Sequence, residues 1–318
     1  MRVVTVDYHT AGEPFRIVVE GAPDLEGASV RDRRLWAAEH ADDIRKLLVN
    51  EPRGHADMYG CFVTPPDDPG ADLGAVFFHN AGYSTACGHG TIALVTWALE
   101  TGRVPGRPCS EGEVEVVVDV PSGRLPTWAA ESDGHVRSVR FRNVPSYVHS
   151  LAVDVGRFSV DVAYGGAFYA ILDAAQAGLK VERRRLSALI ELGRGLKQHL
   201  EADHEFVDLE RPEIRGIYGV MFTEGQRNVT VFADGEVDRS PCGSGTSARL
   251  AVLHARGELG LGASYVHESI LGTTFTARIV EKKAGHVVTE VAGTAHQTGR
   301  HEFVLEPQDE LGTGFLLR

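Results

Sequence analysis

Hydrophobic and polar residues alternate most clearly in short β-branched stretches. VEVVVDV, residues 114–120, and NVTVFA, residues 228–233, read as half-buried or buried strands. Two longer segments have the other period: TACGHGTIALVTWALETG from Thr85 and SPCGSGTSARLAVLHARGEL from Ser240 carry apolar residues at helical spacing. Each predicts one long helix, apolar enough around its circumference to be buried. Strands flanking buried helices give a mostly antiparallel α/β (α+β) class.

The two helical segments also match residue by residue. They share Cys-Gly-x-Gly-Thr, and their cysteines, Cys87 and Cys242, are 155 positions apart. Upstream, DMYGCFVT and GIYGVMFT share Tyr-Gly-x-x-x-Thr, so Tyr59 corresponds to Tyr218. Further upstream, Gly12 and Phe15 align with Gly165 and Phe168, the glycines lying 75 and 77 residues before their cysteines. Three collinear matches with nearly kept spacing define an internal duplication. It predicts two similar lobes, residues 1–155 carrying Cys87 and 156–318 carrying Cys242, with roughly the last 20 residues crossing back to the first lobe.

A chain of 318 residues suits two such lobes, and 43% hydrophobic residues supply a core without metal or disulfide staples. The formal charge of −12 argues against a nucleic-acid surface and against anionic lipid, leaving a small molecule as the expected partner. No stretch has the length and apolarity of a membrane span, and the start, MRVVTVDYHT, lacks a signal-peptide core, so a cytoplasmic location is expected. A homodimer is an assembly the sequence allows. Cys61, Cys87, Cys109 and Cys242 are too scattered for a zinc ribbon or a disulfide framework. Cys61 and Cys109 read as small buried hydrophobes.

Ser240 and Pro241 form a helix-start signal, serine as N-cap and proline at the first helical position, which puts Cys242 in the first turn. By the duplication Thr85 caps the first copy. Thiols so placed meet unpaired N–H groups and the positive end of the helix dipole, which favours thiolate. The N–H groups of Gly88, His89, Gly243 and Ser244 also offer an anion site suited to a carboxylate. A phosphate loop lacks its lysine here. A cysteine protease would not explain two equivalent cysteines, and a zinc site from Cys87, His89, Cys242 and Asp238 is compositionally legal. Two symmetric acid–base thiols match one task, removal of a proton from one face of a carbon and return to the other.

These motifs, with HTAGEPFRIV, EPRGHADMYG, FFHNAGYSTACGHGTIAL, VDVAYGGAFYA, VFADGEVDRSPCGSGTSAR and the closing GFLLR, resemble the proline racemase family nearly end to end. That family includes proline racemases, 4-hydroxyproline epimerases and trans-3-hydroxyproline dehydratases. The resemblance implies a diaminopimelate-epimerase-like fold of two pseudo-symmetric lobes, each a mostly antiparallel sheet or barrel around a long buried helix. It also implies no cofactor, neither pyridoxal phosphate nor a metal. It assigns proton exchange at the α-carbon of an imino acid, proline or a hydroxyproline, to Cys87 and Cys242, and carboxylate binding to Gly88 with His89 and Gly243 with Ser244. His89 and Asp238 match the polar partners of the substrate nitrogen; His89 acting only through its backbone, and Asp238 only ordering its loop, are the alternatives. His9, Glu13 and His55 stay unassigned.

The family's dehydratases typically carry threonine at the second cysteine, a pattern from which Cys242 departs. Phe232, six before Asp238, stands where its epimerases usually have a small cysteine, so its bulk suits unsubstituted proline. Ser84, three before Cys87, offers a hydroxyl to a hydroxyproline. Proline racemization is therefore expected first, 4-hydroxyproline 2-epimerization second, and dehydration of trans-3-hydroxy-L-proline as the alternative. A catalytically silent imino-acid-binding protein is the different-class reading.

Overall fold

The computed structural model describes residues 1–109, 112–208 and 210–317. Two units are resolved by their internal contacts, one of Met1–Phe141 with Thr294–Arg318 and the other of Arg142–Gly293.

In the first unit, β1 (Arg2–Thr10) and β2 (Glu13–Glu20) form a hairpin, followed by helices α1 (Val30–His40) and α2 (Asp42–Val49). Strands β3 (Tyr59–Thr64), β4 (Leu73–His79) and β5 (Gly82–Tyr83) lead into α3 (Gly88–Glu100). Strands β6 (Arg107–Pro108), β7 (Glu113–Val120), β8 (Gly123–Ser132) and β9 (His135–Arg142) follow it. The second unit runs through β10 (Tyr147–Val155), β11 (Phe158–Tyr164), β12 (Phe168–Asp173), helix α4 (Leu186–Asp203), β13 (Ile217–Glu224), β14 (Arg227–Phe232), β15 (Glu236–Asp238), helix α5 (Gly243–Ala255), β16 (Ser264–Ser269), β17 (Thr274–Lys283) and β18 (His286–Gly293). The last strand, β19 (Ala295–Val304), pairs with β1.

Pairing in the first unit runs β19-β1-β2-β3-β4-β7-β8-β9, antiparallel except for the parallel pairs β2–β3 and β4–β7. The second runs β10-β11-β12-β13-β14-β16-β17-β18, with its parallel pairs at the corresponding places, β12–β13 and β14–β16. The duplication read from the cysteine motifs is therefore a duplication of strand topology. VEVVVDV is most of β7 and NVTVF lies in β14, as the alternation predicts.

Each unit wraps its sheet around its cysteine-led helix. Helix α3 packs against β1, β2, β3, β8 and β19, and α5 against β10, β11, β12, β17 and β18. The second unit closes further through a bridge between Ser146 and Val287. Helix α3 is buried through Ala98, and α5 through Leu253 except at Arg249, because both are apolar nearly all round. Helices cover the outer faces, α1 and α2 over β4 and α4 over β13 and β14. Helix α1 starts with a capping box between Ser29 and Asp32.

Candidate functional site

Each cysteine follows a tight strand pair and is itself the residue from which its helix starts. Cys87 is the N-cap of α3 and Cys242 the N-cap of α5. This corrects the expected starts at Thr85 and Ser240. The Ser240 hydroxyl does bind a backbone donor, but that donor is the Cys242 N–H at 3.1 Å, a serine turn just ahead of the helix. Thr85 instead accepts the Ser122 N–H through its carbonyl.

In the first unit the Cys87 sulfur accepts the Gly90 N–H at 3.3 Å, doing the work of a serine or threonine N-cap oxygen. The fold depends on glycine there, since a Cβ on Gly90 would come 2.3 Å from the Phe15 ring and 2.6 Å from Cys87 Sγ. Gly245 repeats the arrangement: its Cβ would lie 2.7 Å from Cys242 Sγ and 2.6 Å from Met221 Cε. In both copies the sulfur thus lies over the first helical turn. The next matched position, Thr91 or Thr246, donates its hydroxyl to the cysteine carbonyl, at 2.8 Å and 2.7 Å respectively.

The surroundings of the two thiols differ. The His89 ring lies against Cys87 Sγ, both ring nitrogens 3.6 Å away, and packs edge-on to Phe15 and Tyr59. Burial pushes its pKa down to about 3, so it is a neutral imidazole at physiological pH. Ser84 is buried and accepts the Tyr59 hydroxyl.

Around Cys242 the groups are more polar. Asp238 Oδ1 accepts both the N–H and the hydroxyl of Ser240, at 2.8 and 2.7 Å. Burial nonetheless raises the Asp238 carboxyl to about 6. The Cys242 thiol is pushed well above the usual thiol range, first by burial and then by the Asp238 charge; Tyr169, the Gly245 N–H and Thr230 act in the opposite direction. This corrects the expectation of a lowered pKa at this cysteine: desolvation outweighs the helix N-terminus, so the free protein holds Cys242 as a thiol. The Tyr169 hydroxyl is 2.6 Å from Ser244 Oγ. Phe232 is buried with its ring stacked on Tyr218, centroids 5.5 Å apart.

Backbone geometry separates the cysteines too. Cys87 has φ −151°, an ordinary extended value, whereas Cys242 has φ 65° and ψ 98°. Positive φ in a non-glycine residue costs on the order of 1–3 kcal/mol and persists only where its surroundings enforce it. Here Ser240 holds the Cys242 N–H, Asn228 donates to the Pro241 carbonyl at 3.1 Å, and Thr246 grips the Cys242 carbonyl through both N–H and hydroxyl, each at 2.7 Å.

The other singled-out residues lie in different settings. Cys61 is fully buried and burial raises its thiol pKa; Cys109 is half-buried and donates to the Glu113 carbonyl. His9 Nδ1 accepts the Gly12 N–H, Glu13 is buried, and His55 is exposed. Tyr169, Thr230 and Thr246 escape the sequence reading as site residues. Thr246 stands in the repeated Cys-Gly-x-Gly-Thr motif without having been given a role, and the one signal for Tyr169 was its place after Phe168, where the first repeat has Arg16 after Phe15. Among the described residues no three His, Cys, Asp or Glu side chains gather in a geometry for metal, and no helix is long and apolar enough to cross a membrane.

A duplicated α/β fold, with a cysteine sulfur seated at the start of each buried helix, defines the class of protein. The chain belongs to the proline racemase family, whose sequence profile, described as Proline racemase, matches residues 5–316. It is 44% identical to a trans-3-hydroxy-L-proline dehydratase of Bacillus cereus, over 98% of this chain and 97% of that one. It is also 44% identical to a 3-hydroxyproline 2-epimerase of Burkholderia multivorans, over 99% and 98%. The crystal structure of a hydroxyproline epimerase from Agrobacterium vitis, with trans-4-hydroxy-L-proline bound, superposes with a TM-score of 0.90 at 33% identity, covering 99% of this chain and 96% of that one.

Proposed function

We propose that this chain is a cofactor-independent isomerase that inverts the α-carbon of proline or a hydroxyproline, with Cys87 and Cys242 as its base and acid. One sulfur takes the α-proton and the other delivers a proton to the opposite face of the planar intermediate, the roles exchanging with the hand of the substrate. The observation that carries this reading is the presence of two cysteines, not one, each seated as N-cap of its helix in a member of this family. Cys242, held as a thiol by burial and by Asp238, suits the proton donor. The N–H groups of Gly88, His89, Gly243 and Ser244 are assigned to the substrate carboxylate, Asp238 to the substrate nitrogen, and Phe232 and Ser84 to the ring.

A second reading is supported by the 44% identical relative named trans-3-hydroxy-L-proline dehydratase. In it one thiol abstracts the α-proton and the 3-hydroxyl leaves as water, making the chain a lyase. Supplying L-proline, trans-4-hydroxy-L-proline and trans-3-hydroxy-L-proline separately in deuterated water decides between them. Inversion with deuterium at the α-carbon is the expected result. Loss of water from the 3-hydroxy substrate without inversion of any would assign the dehydratase, and binding without deuterium exchange would identify a silent binding protein.

A further inference from the structure

His267 is fully buried on β16, and its Nδ1 lies 2.8 Å from Thr246 Oγ1. Thr246 has a single hydroxyl proton. Donating it to the Cys242 carbonyl at 2.7 Å leaves the Thr246 oxygen as acceptor, so His267 is the donor and carries its proton on Nδ1. A chain of two hydrogen bonds thus runs from the histidine to the backbone of the cysteine with positive φ.

The other unit lacks this support. Strand pairing makes Phe78, opposite Gly60, the counterpart of Phe232, opposite Gly219. It then makes Gly74, paired with Asp119, the counterpart of Asn228, paired with Ser269. Two residues earlier, Val117 occupies the place of His267. Thr91 grips the Cys87 carbonyl as Thr246 does that of Cys242, yet Cys87 is in an ordinary extended conformation and the strand position matched to His267 is apolar. The histidine occurs behind the cysteine whose backbone needs enforcing.

We propose that His267 is a positioning residue for Cys242, fixing the Thr246 hydroxyl that holds the Cys242 carbonyl and thereby the direction of the thiol. Burial, reinforced by the nearby Arg249 charge, pushes the imidazole down to about 3, so it stays neutral and its Nδ1–H remains a donor through the neutral range. Only the catalytic consequence rests on the proposed function; the positioning itself does not.

The test compares His267→Val, which copies the first unit, with His267→Asn, whose amide can donate from nearly the place of Nδ1. In the full-length protein, alkylation of each cysteine by iodoacetamide is followed by peptide mass spectrometry, and kcat and KM are measured on the substrate turned over. His267→Val should change the Cys242 alkylation rate several-fold while Cys87 keeps its rate. It should lower kcat by up to about 100-fold, the scale set by misplacing a reacting group by an ångström, with KM little changed. His267→Asn should restore both. If His267→Val proves insoluble, Thr246→Val against Thr246→Ser interrogates the same link. An unchanged Cys242 rate and kcat in the valine variant, or an asparagine variant as impaired as the valine one, would overturn the proposal. Cys242 reactivity that follows the expected order in a protein turning over no imino acid would support the positioning role while refuting the proposed function.

Discussion

The Tyr169 hydroxyl lies 2.6 Å from Ser244 Oγ, joining the sheet of the second unit to the first turn of α5 beside the Cys242 thiol. At the start of α3 the residue matching Ser244 is His89, pressed edge-on against the apolar ring of Phe15. The duplication therefore keeps the helix start and the threonine that binds each cysteine carbonyl, and varies the cysteine's own backbone conformation and the polarity of what surrounds it. A Cys242 held as a thiol suits the proposed reaction, in which one group must start protonated.

Tyr169→Phe tests that tuning, because the tyrosine hydroxyl favours the Cys242 thiolate. Losing a hydrogen bond to a charged group is worth roughly 1.5–3 kcal/mol, so Cys242 alkylation at a given pH should slow by roughly 10- to 100-fold. The pH dependence of Cys242 alkylation reads this directly, with Cys87 as internal control. A Cys242 profile superposable on that of the parent would show that Tyr169 serves only packing.

Replacing either cysteine tests the pair. Cys87→Ser and Cys242→Ser should each abolish most inversion, and the double variant should be little worse than either, since the proposed mechanism uses each thiol once per turnover. Chiral separation of product measures it. Near-parental inversion by Cys242→Ser would refute a two-thiol mechanism.

Much of this site was legible in the sequence for a physical reason: the Cys-Gly-x-Gly-Thr repeat encodes contacts local to one helical turn. The glycine three after each cysteine leaves room for sulfur, and the threonine after it binds the cysteine carbonyl. What failed was the exact start of α5. Ser240-Pro241 is a strong capping signal, but the positive φ of Cys242 is set by Asn228, Asp238 and Thr246 acting together, and spacing alone carries no trace of it. Tyr169 was missed because its partner is 75 residues away, joined to it only by the fold. The thiol pKa was misjudged because a helix N-terminus is visible in sequence and desolvation is not.

The Asp238 carboxyl gives a pH signature. Its folded-state pKa, about 6, lies above the ordinary 3.8, so its contribution to stability is fully present below pH 3.8 and is lost as pH rises through 6. The difference of about two units corresponds to roughly 3 kcal/mol. Asp238→Asn keeps an oxygen acceptor for Ser240 without the charge, so its stability relative to the parent should increase between pH 4 and pH 7 by up to that amount. Urea unfolding of both proteins across this range measures the difference, in which other titrations cancel. A constant difference would mean that Asp238 is not desolvated as described.

The final prediction concerns the ring pocket, to which Phe232 and Ser84 are assigned. Phe232→Cys removes an aromatic ring that stacks on Tyr218, and truncating a buried phenylalanine costs about 3–5 kcal/mol, so raw activity confounds pocket shape with stability. The informative quantity is the ratio of kcat/KM for trans-4-hydroxy-L-proline to that for proline, in which loss of folded protein cancels. An apolar wall rejects an added hydroxyl only modestly, by on the order of 100-fold at most, so the substitution should raise that ratio without abolishing either reaction. Ser84 provides the opposing arm. Its oxygen already accepts the Tyr59 hydroxyl, which leaves its own proton to give to a substrate hydroxyl. If the parent prefers trans-4-hydroxy-L-proline and Ser84→Ala removes that preference while Phe232→Cys leaves the ratio unchanged, Ser84 sets specificity, Phe232 is a packing residue, and 4-hydroxyproline displaces proline as the expected substrate.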